Sequence, residues 1–100
     1  YSITIENEGA ENYFTEKIID CFMYGTVPIY WGCPNIGDFF NTKGIIQFRT
    51  LNELDACLDK ATPEYYNEIR DAIEDNYERC KKYLSMDDTL AQNIKQLTNE

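Results

Sequence analysis

The stretch "YSITIENEGAENYFTEKIIDCFMYGTVPIYW", Tyr1 to Trp31, decides the fold of this chain. Its first residues alternate apolar and polar, with Tyr1, Ile3 and Ile5 on one face, which predicts a strand. An acidic loop containing a glycine, "NEGAE", follows. From about Tyr13 to Tyr24 the pattern becomes helical, because Phe14, Ile18, Ile19 and Phe22 fall on one side. Asn12 reads as the N-cap of that helix and Gly25 as its C-terminal stop. "TVPIYW" is then a short apolar run rich in β-formers, as in a strand buried on both faces of a parallel sheet. Pro28 has no ladder donor to give and belongs near the start of that strand.

The remainder continues the alternation. "GCPNIGDFFN" reads as a loop with one helical turn at Ile36–Phe40, and "GIIQF" as a third strand. Thr50 and Glu53 have capping-box spacing, and Leu51, Leu54, Cys57 or Leu58, and Ala61 make one helical face. Thr62-Pro63 opens a long helix whose Tyr66, Ile69, Ile73, Tyr77, Cys80 and Leu84 repeat to about Ser85. A last helix from Asp88 carries Leu90, Ile94 and Leu97. The order predicts an α/β fold, a small parallel sheet flanked by helices. A chain of 100 residues is one domain, here a strand–helix–strand core over about 1–61 and a helical part over about 62–100. Ligands of such sheets bind at the carboxyl ends of the strands. "ENEGAENYFTEK" and "WGCPNIGDFF" stand at consecutive ends of that kind.

Composition removes several classes of partner. Eighteen acidic against 9 basic residues leave a net charge of -9. Neither a nucleic-acid backbone nor an anionic membrane is attracted to such a surface. No apolar run approaches the roughly 20 residues of a membrane span, and no signal peptide is expected. The 4 cysteines form no C-x-x-C pair, and histidine is absent, so no zinc site is expected. Cys21, Cys33, Cys57 and Cys80 read as buried thiols of a cytoplasmic protein, with a disulfide framework as the alternative. Cys33, before Pro34 in a loop, is expected to be the most exposed. Tyr1 opens directly into a strand with no initiator Met, as in a piece of a longer protein.

On a helix, Tyr13, Glu16, Lys17 and Asp20 share one face. The N-terminus of a helix favours an anion, and Lys17 adds a point charge for a phosphate. Glu16 suits the vicinal hydroxyls of a ribose, and Tyr13 can stack on or hydrogen-bond to a nucleotide. The group therefore fits a sugar nucleotide. It also fits a solvated helix face with Tyr13 at the edge of the core, the reading that spacing alone favours because polar first turns are common. Tyr30 and Trp31 read as packing residues, as does the aromatic stripe after Pro63. Asp38, Phe39 and Phe40 either close over a nucleotide or plug the loop into the core. Glu53, Glu74, Asp75 and Glu78 read as a solvated acidic surface.

The run "ITIENEGAENYFTEKIIDCFMYGTVPIYWGCPNIGDFFN" resembles the donor-binding motif of the family 10 glycosyltransferases, the α1,3-fucosyltransferases. The matching pieces are Glu6-Asn7, Tyr13-Phe14-Thr15-Glu16-Lys17, Thr26 to Gly32, and Pro34. The match is close over roughly the first half of the chain and looser through Phe48 and the helix after it. The resemblance implies the C-terminal, Rossmann-like half of a GT-B enzyme, which binds GDP-fucose and needs no metal or other cofactor. By position, Glu16 would hold the ribose hydroxyls and Lys17 would neutralise the diphosphate. Tyr13 and Asn7 would line the donor site, with Glu6 near the fucose. The reaction would invert at the anomeric carbon and pass fucose to a glycan acceptor, with a carboxylate base in the N-terminal half of the parent enzyme. With that base outside this sequence no catalytic residue is expected in it, and a donor-binding arginine upstream of the first strand lies outside it too. Cys33 stands where the family often has serine, which argues against a catalytic thiol. Two other readings stay open: a glycosyltransferase using another sugar nucleotide, and a non-catalytic α/β module for interaction or oligomerisation, including a homodimer.

Overall fold

The computed structural model describes residues 1–98 of the chain, and their side chains as far as residue 84. Three parallel strands lie in the order β1 (Ser2–Ile5), β2 (Pro28–Trp31), β3 (Ile46–Gln47). Ser2 pairs with Pro28 and Ile5 with Trp31, while Ile29 pairs with Ile46. Helix α1 (Glu16–Met23) crosses between β1 and β2. Short 3-10 turns at Ile36–Asp38 and Thr42–Gly44 fill the connection to β3, and α2 (Leu51–Lys60), α3 (Pro63–Glu68) and α4 (Arg70–Thr98) follow. The expected parallel α/β architecture is what forms.

Strand β2 is central because its residues alternate between two apolar layers. Tyr30 joins Ile18, Ile19, Phe22, Cys33, Ile36, Phe40, Ile45 and Cys80 on the side of α1 and α4. Ile29 joins Val27, Ile46, Phe48 and Cys57 on the side of α2 and α3. Pro28 stands first in β2, where the strand needs no amide donor from it. Gly25, at φ +65, ends α1. Its N–H reaches Phe22 O at 3.2 Å and that of Thr26 reaches Cys21 O at 2.8 Å. This is the 5→2 and 6→1 pair that a left-handed residue allows.

Several elements differ from the sequence reading. The Tyr1, Ile3, Ile5 face of β1 is not a core face: these side chains are 37%, 50% and 45% exposed, and Thr4 is the buried one. Period 2 marks a strand without saying which face is covered; Tyr1, at the head of this face, meets the start of α3, its hydroxyl donating to Thr62 O at 2.7 Å and its ring 6.1 Å from that of Tyr66. The third strand shortens to Ile46–Gln47. In α2 the inward side is Leu54 and Cys57, whereas Leu51 is 74% exposed. The long helix from Pro63 breaks at Ile69, and the second part, α4, runs on without a stop at Ser85. The side chains of Leu90, Ile94 and Leu97 lie outside the described residues. Within α4 the buried positions include Ala72, Asn76 and Cys80, while Tyr77 is 37% exposed.

Candidate functional site

The carboxyl ends of the strands meet the start of α1, as the fold class requires. Helix α1 begins three residues later than its pattern suggests. Its N-cap is Thr15, with extended backbone and a hydroxyl accepting from Lys17 N at 3.3 Å. Asn12 is not a cap. It takes φ 62, a left-handed geometry that asparagine tolerates. Its side chain and backbone instead pair with Asn35: Asn35 Nδ2 donates to Asn12 Oδ1, and Asn12 N donates to Asn35 Oδ1, each at 2.8 Å. The loop after β1 is thereby bound to the loop after β2. The sequence showed both asparagines but not their meeting, which is a long-range event.

The later start splits the expected polar face. Tyr13 precedes the helix and is half-buried, its N–H closing a turn on Ala10 O at 3.2 Å. Glu16 is exposed and lines a hollow of about 410 Å³ with Asn12, Phe14, Thr15, Ile19, Phe39 and Tyr83. Lys17 and Asp20 line a different hollow, about 580 Å³, against the open edge of β1. Lys17 Nζ donates to Ile5 O at 3.1 Å, so the amine sits at the carboxyl end of β1. An ammonium has three donors, and this bond occupies one of them. Asn7 is exposed in the bend just after β1.

Glu6, expected beside the donor, is 2% exposed. Its carboxylate is engaged within the chain. Thr15 Oγ1 donates to Oε1 at 2.6 Å, and Thr15 N and Tyr30 Oη donate to Oε2 at 2.9 and 3.0 Å. A buried carboxylate demands such partners. Glu6 thus closes on Thr15, the N-cap residue at the head of α1. Tyr30 in turn accepts from Cys33 N at 3.2 Å. Burial pushes the Tyr30 phenol well above its ordinary range, and the neighbouring Glu6 pushes it the same way. Gly32 makes the arrangement possible: a Cβ there would overlap Glu6 Cγ and come within 2.7 Å of Tyr30 Oη.

A third hollow, about 520 Å³, opens at the carboxyl ends of β2 and β3. Trp31, Gly32, Pro34, Gln47, Arg49 and Glu53 line it with others. Glu53 is exposed yet committed, since its Oε1 accepts from Arg49 N and Thr50 N at 2.7 and 3.3 Å, the predicted capping-box role. Cys33 is the opposite of its expectation. It is 1% exposed, with its Sγ donating to Asn35 Oδ1 at 3.0 Å, because the 3-10 turn folds the loop back over it. All 4 cysteines are buried and unpaired, as the first of the two sequence readings held. Phe40 is buried in the core and Phe39 packs at 5.2 Å from Phe14, so this segment is a plug.

Asn76 is a residue the sequence reading passed over. It is fully buried on α4 and grips the main chain of Asn41, accepting from its N–H at 2.7 Å and donating to its C=O at 2.9 Å. The side chain of Asn41 donates to Asp75 Oδ2 at 3.0 Å, and Arg79 donates to Asp75 Oδ1 at 3.0 Å. Asn41 first and Arg79 second hold the Asp75 carboxyl below the usual range. Asp75 is therefore a connector and not free acidic surface. Among the described residues, no three His, Cys, Asp or Glu side chains gather as a metal-ligand set, and no helix is long and apolar enough to cross a membrane.

No protein-family model matches the chain. Among curated proteins it is 36% identical over 59 residues to an α1,3-fucosyltransferase of Helicobacter pylori, covering 59% of this chain and 12% of that protein. It is 31% identical over 90 residues to an α1,4-fucosyltransferase of Arabidopsis thaliana, covering 81% of this chain and 22% of that one. The chain thus spans less than a quarter of the length of these relatives. Its fold superposes on the crystal structure of an α1,3-fucosyltransferase with GDP at TM-score 0.59 and 33% identity, over 68% of this chain and 22% of the other. It also superposes on one with GDP-fucose at TM-score 0.59 and 30% identity, over 87% of this chain and 30% of the other. The strand–helix–strand unit read from Tyr1–Trp31, joined by this agreement in sequence and in fold, makes the chain a segment of the GT-B fucosyltransferase family.

Proposed function

We propose that this chain is the donor-nucleotide part of an enzyme that transfers fucose from GDP-fucose to a glycan acceptor. The observation that carries the reading is the placement of Glu16 and Lys17 on the first turn of α1, with Lys17 Nζ at the carboxyl end of β1. Solved neighbours described with GDP and with GDP-fucose support it. In this reading Lys17 neutralises the departing diphosphate, where negative charge grows in the transition state. Its two uncommitted N–H groups are the ones that turn to the phosphates. Glu16 accepts from the ribose hydroxyls, and Asn7 and Tyr13 border the donor. No metal is required, because the lysine and an arginine from the rest of the parent supply the positive charge. The base that takes the acceptor's proton comes from the N-terminal half of the parent, which leaves this segment by itself without turnover. The 4 buried, unpaired thiols support a reducing, cytoplasmic setting. The open edge of β1, with Ile3 and Ile5 exposed, supports association with the other half or, failing that, with a second copy.

The test is an NMR titration of the folded chain with GDP-fucose, GDP and UDP, repeated on Lys17→Ala. The expected result is shifts at Asn7 and Tyr13 to Lys17, stronger for guanine nucleotides and lost in the variant. Equal response to UDP would move the donor to another sugar nucleotide. Absence of any response at millimolar ligand, even with the N-terminal half added back, would overturn the reading.

A further inference from the structure

We infer that Glu6 is a positioning residue: its buried carboxylate locks the head of α1, and so sets where Glu16 and Lys17 stand. The inference rests on the donor reading above and adds a residue that works without touching the donor. Three observations carry it. Glu6 is 2% exposed, so its oxygens do not face a ligand. Both oxygens are used by donors from two other elements, Thr15 before α1 and Tyr30 in β2. The next two residues after Thr15 are Glu16 and Lys17, on the first turn of the helix that this bond fixes.

The geometry also explains why these pieces are needed together. Thr15 gives both its N–H and its hydroxyl to the carboxylate, so rotation of the helix head would break two bonds at once. Tyr30 brings the carboxylate against β2 and passes the constraint to Cys33 N, which begins the loop holding Asn12 through Asn35. Lys17 closes the circuit on Ile5 O, adjacent to Glu6 in the chain. Charge-assisted bonds of this type are short and directional, which suits holding over recognition.

Three variants and two readouts test the inference. Glu6→Gln keeps the shape but replaces one acceptor oxygen by an amide donor that faces donors. Thr15→Val removes the hydroxyl, and Thr15→Ser restores it. The first readout is amide hydrogen exchange at Thr15, Glu16 and Lys17 in the folded chain, which needs no ligand. Faster exchange confined to these amides in Glu6→Gln and Thr15→Val, with Thr15→Ser restoring protection, is the expected result. The second readout is the dissociation constant for GDP-fucose. Glu6→Gln should weaken it about tenfold, the equivalent of one charge-assisted bond at 1.4 kcal/mol per decade. Unchanged exchange at these three amides overturns the inference whether or not the donor binds. A lowered Tm with an unchanged dissociation constant overturns it too, since that is a purely structural role. If the unmodified chain, with the N-terminal half present, binds no donor, the donor reading falls, and the exchange data still decide whether Glu6 fixes the helix head.

Discussion

Replacing Asn76 by alanine isolates one long-range decision of this fold. The side chain is fully buried and makes 2 hydrogen bonds to the main chain of Asn41. Each bond contributes about 0.5–1.5 kcal/mol net, and a partner group left half-buried and unpaired costs about 1–3 kcal/mol where water cannot reach it. Asn41 is half-buried, so water compensates part of the loss. The expected destabilisation is about 2–4 kcal/mol, or roughly 10–20 °C in Tm for a domain of this size. Urea unfolding followed by the fluorescence of Trp31, the single tryptophan, measures it. Asn41→Ala is the internal control. It removes the side-chain bonds to Asp75 and to Lys43 N but keeps both main-chain bonds to Asn76, so it should cost about 1 kcal/mol. If Asn76→Ala costs no more than Asn41→Ala, the grip on the main chain is not what fastens the 36–44 segment to α4, and the reasoning fails.

Further predictions concern the same buried network. Gly32→Ala should destabilise the chain by about 1–3 kcal/mol, because the new methyl meets Glu6 and Tyr30 in a place without slack; a Tm within 2–3 °C of the parent would contradict this. Stability should fall as pH rises past about 10. The folded chain raises the Tyr30 phenol above its ordinary value, chiefly by burial. The unfolded chain then loses that proton first, and folding is penalised above the unfolded pKa, not below it. Tyr30→Phe should flatten the alkaline limb of a Tm-against-pH curve. Burial raises the Cys80 thiol in the same direction, so its contribution to stability also falls as pH rises past the ordinary thiol range.

Local patterns settled the elements of this protein. The alternation at Tyr1–Ile5, the helical spacing of Phe14, Ile18, Ile19 and Phe22, and the place of Gly25 are properties of neighbours in sequence, and the structure has them. Thr50 with Glu53 and Thr62 with Pro63 start their helices as read, for the same reason. The parallel order followed from strands alternating with a helix. The family resemblance was also a matter of one continuous run, and so it was legible. What failed were boundaries and faces. Asn12 is a good cap by type, but its amide pairs with Asn35 across the fold, and Thr15 takes the cap because Glu6 holds it there.

The sequence by itself therefore determined the strand–helix–strand unit, the class of fold and the family. The tertiary structure alone decided which groups near the site are free. Glu6 was a candidate ligand by position and is a buried acceptor because Thr15 and Tyr30 converge on it. Cys33 was the exposed thiol by its loop and is buried because the 3-10 turn covers it. Asn76 belonged to a polar helix stretch and is a core residue because Gly44 lets α4 come close; a Cβ there would lie 2.6 Å from its Nδ2. The physical reason is common to Glu6 and Asn76. Whether a polar side chain is solvated or satisfied internally depends on partners 9 to 35 positions away in the chain, whose arrival only packing brings about.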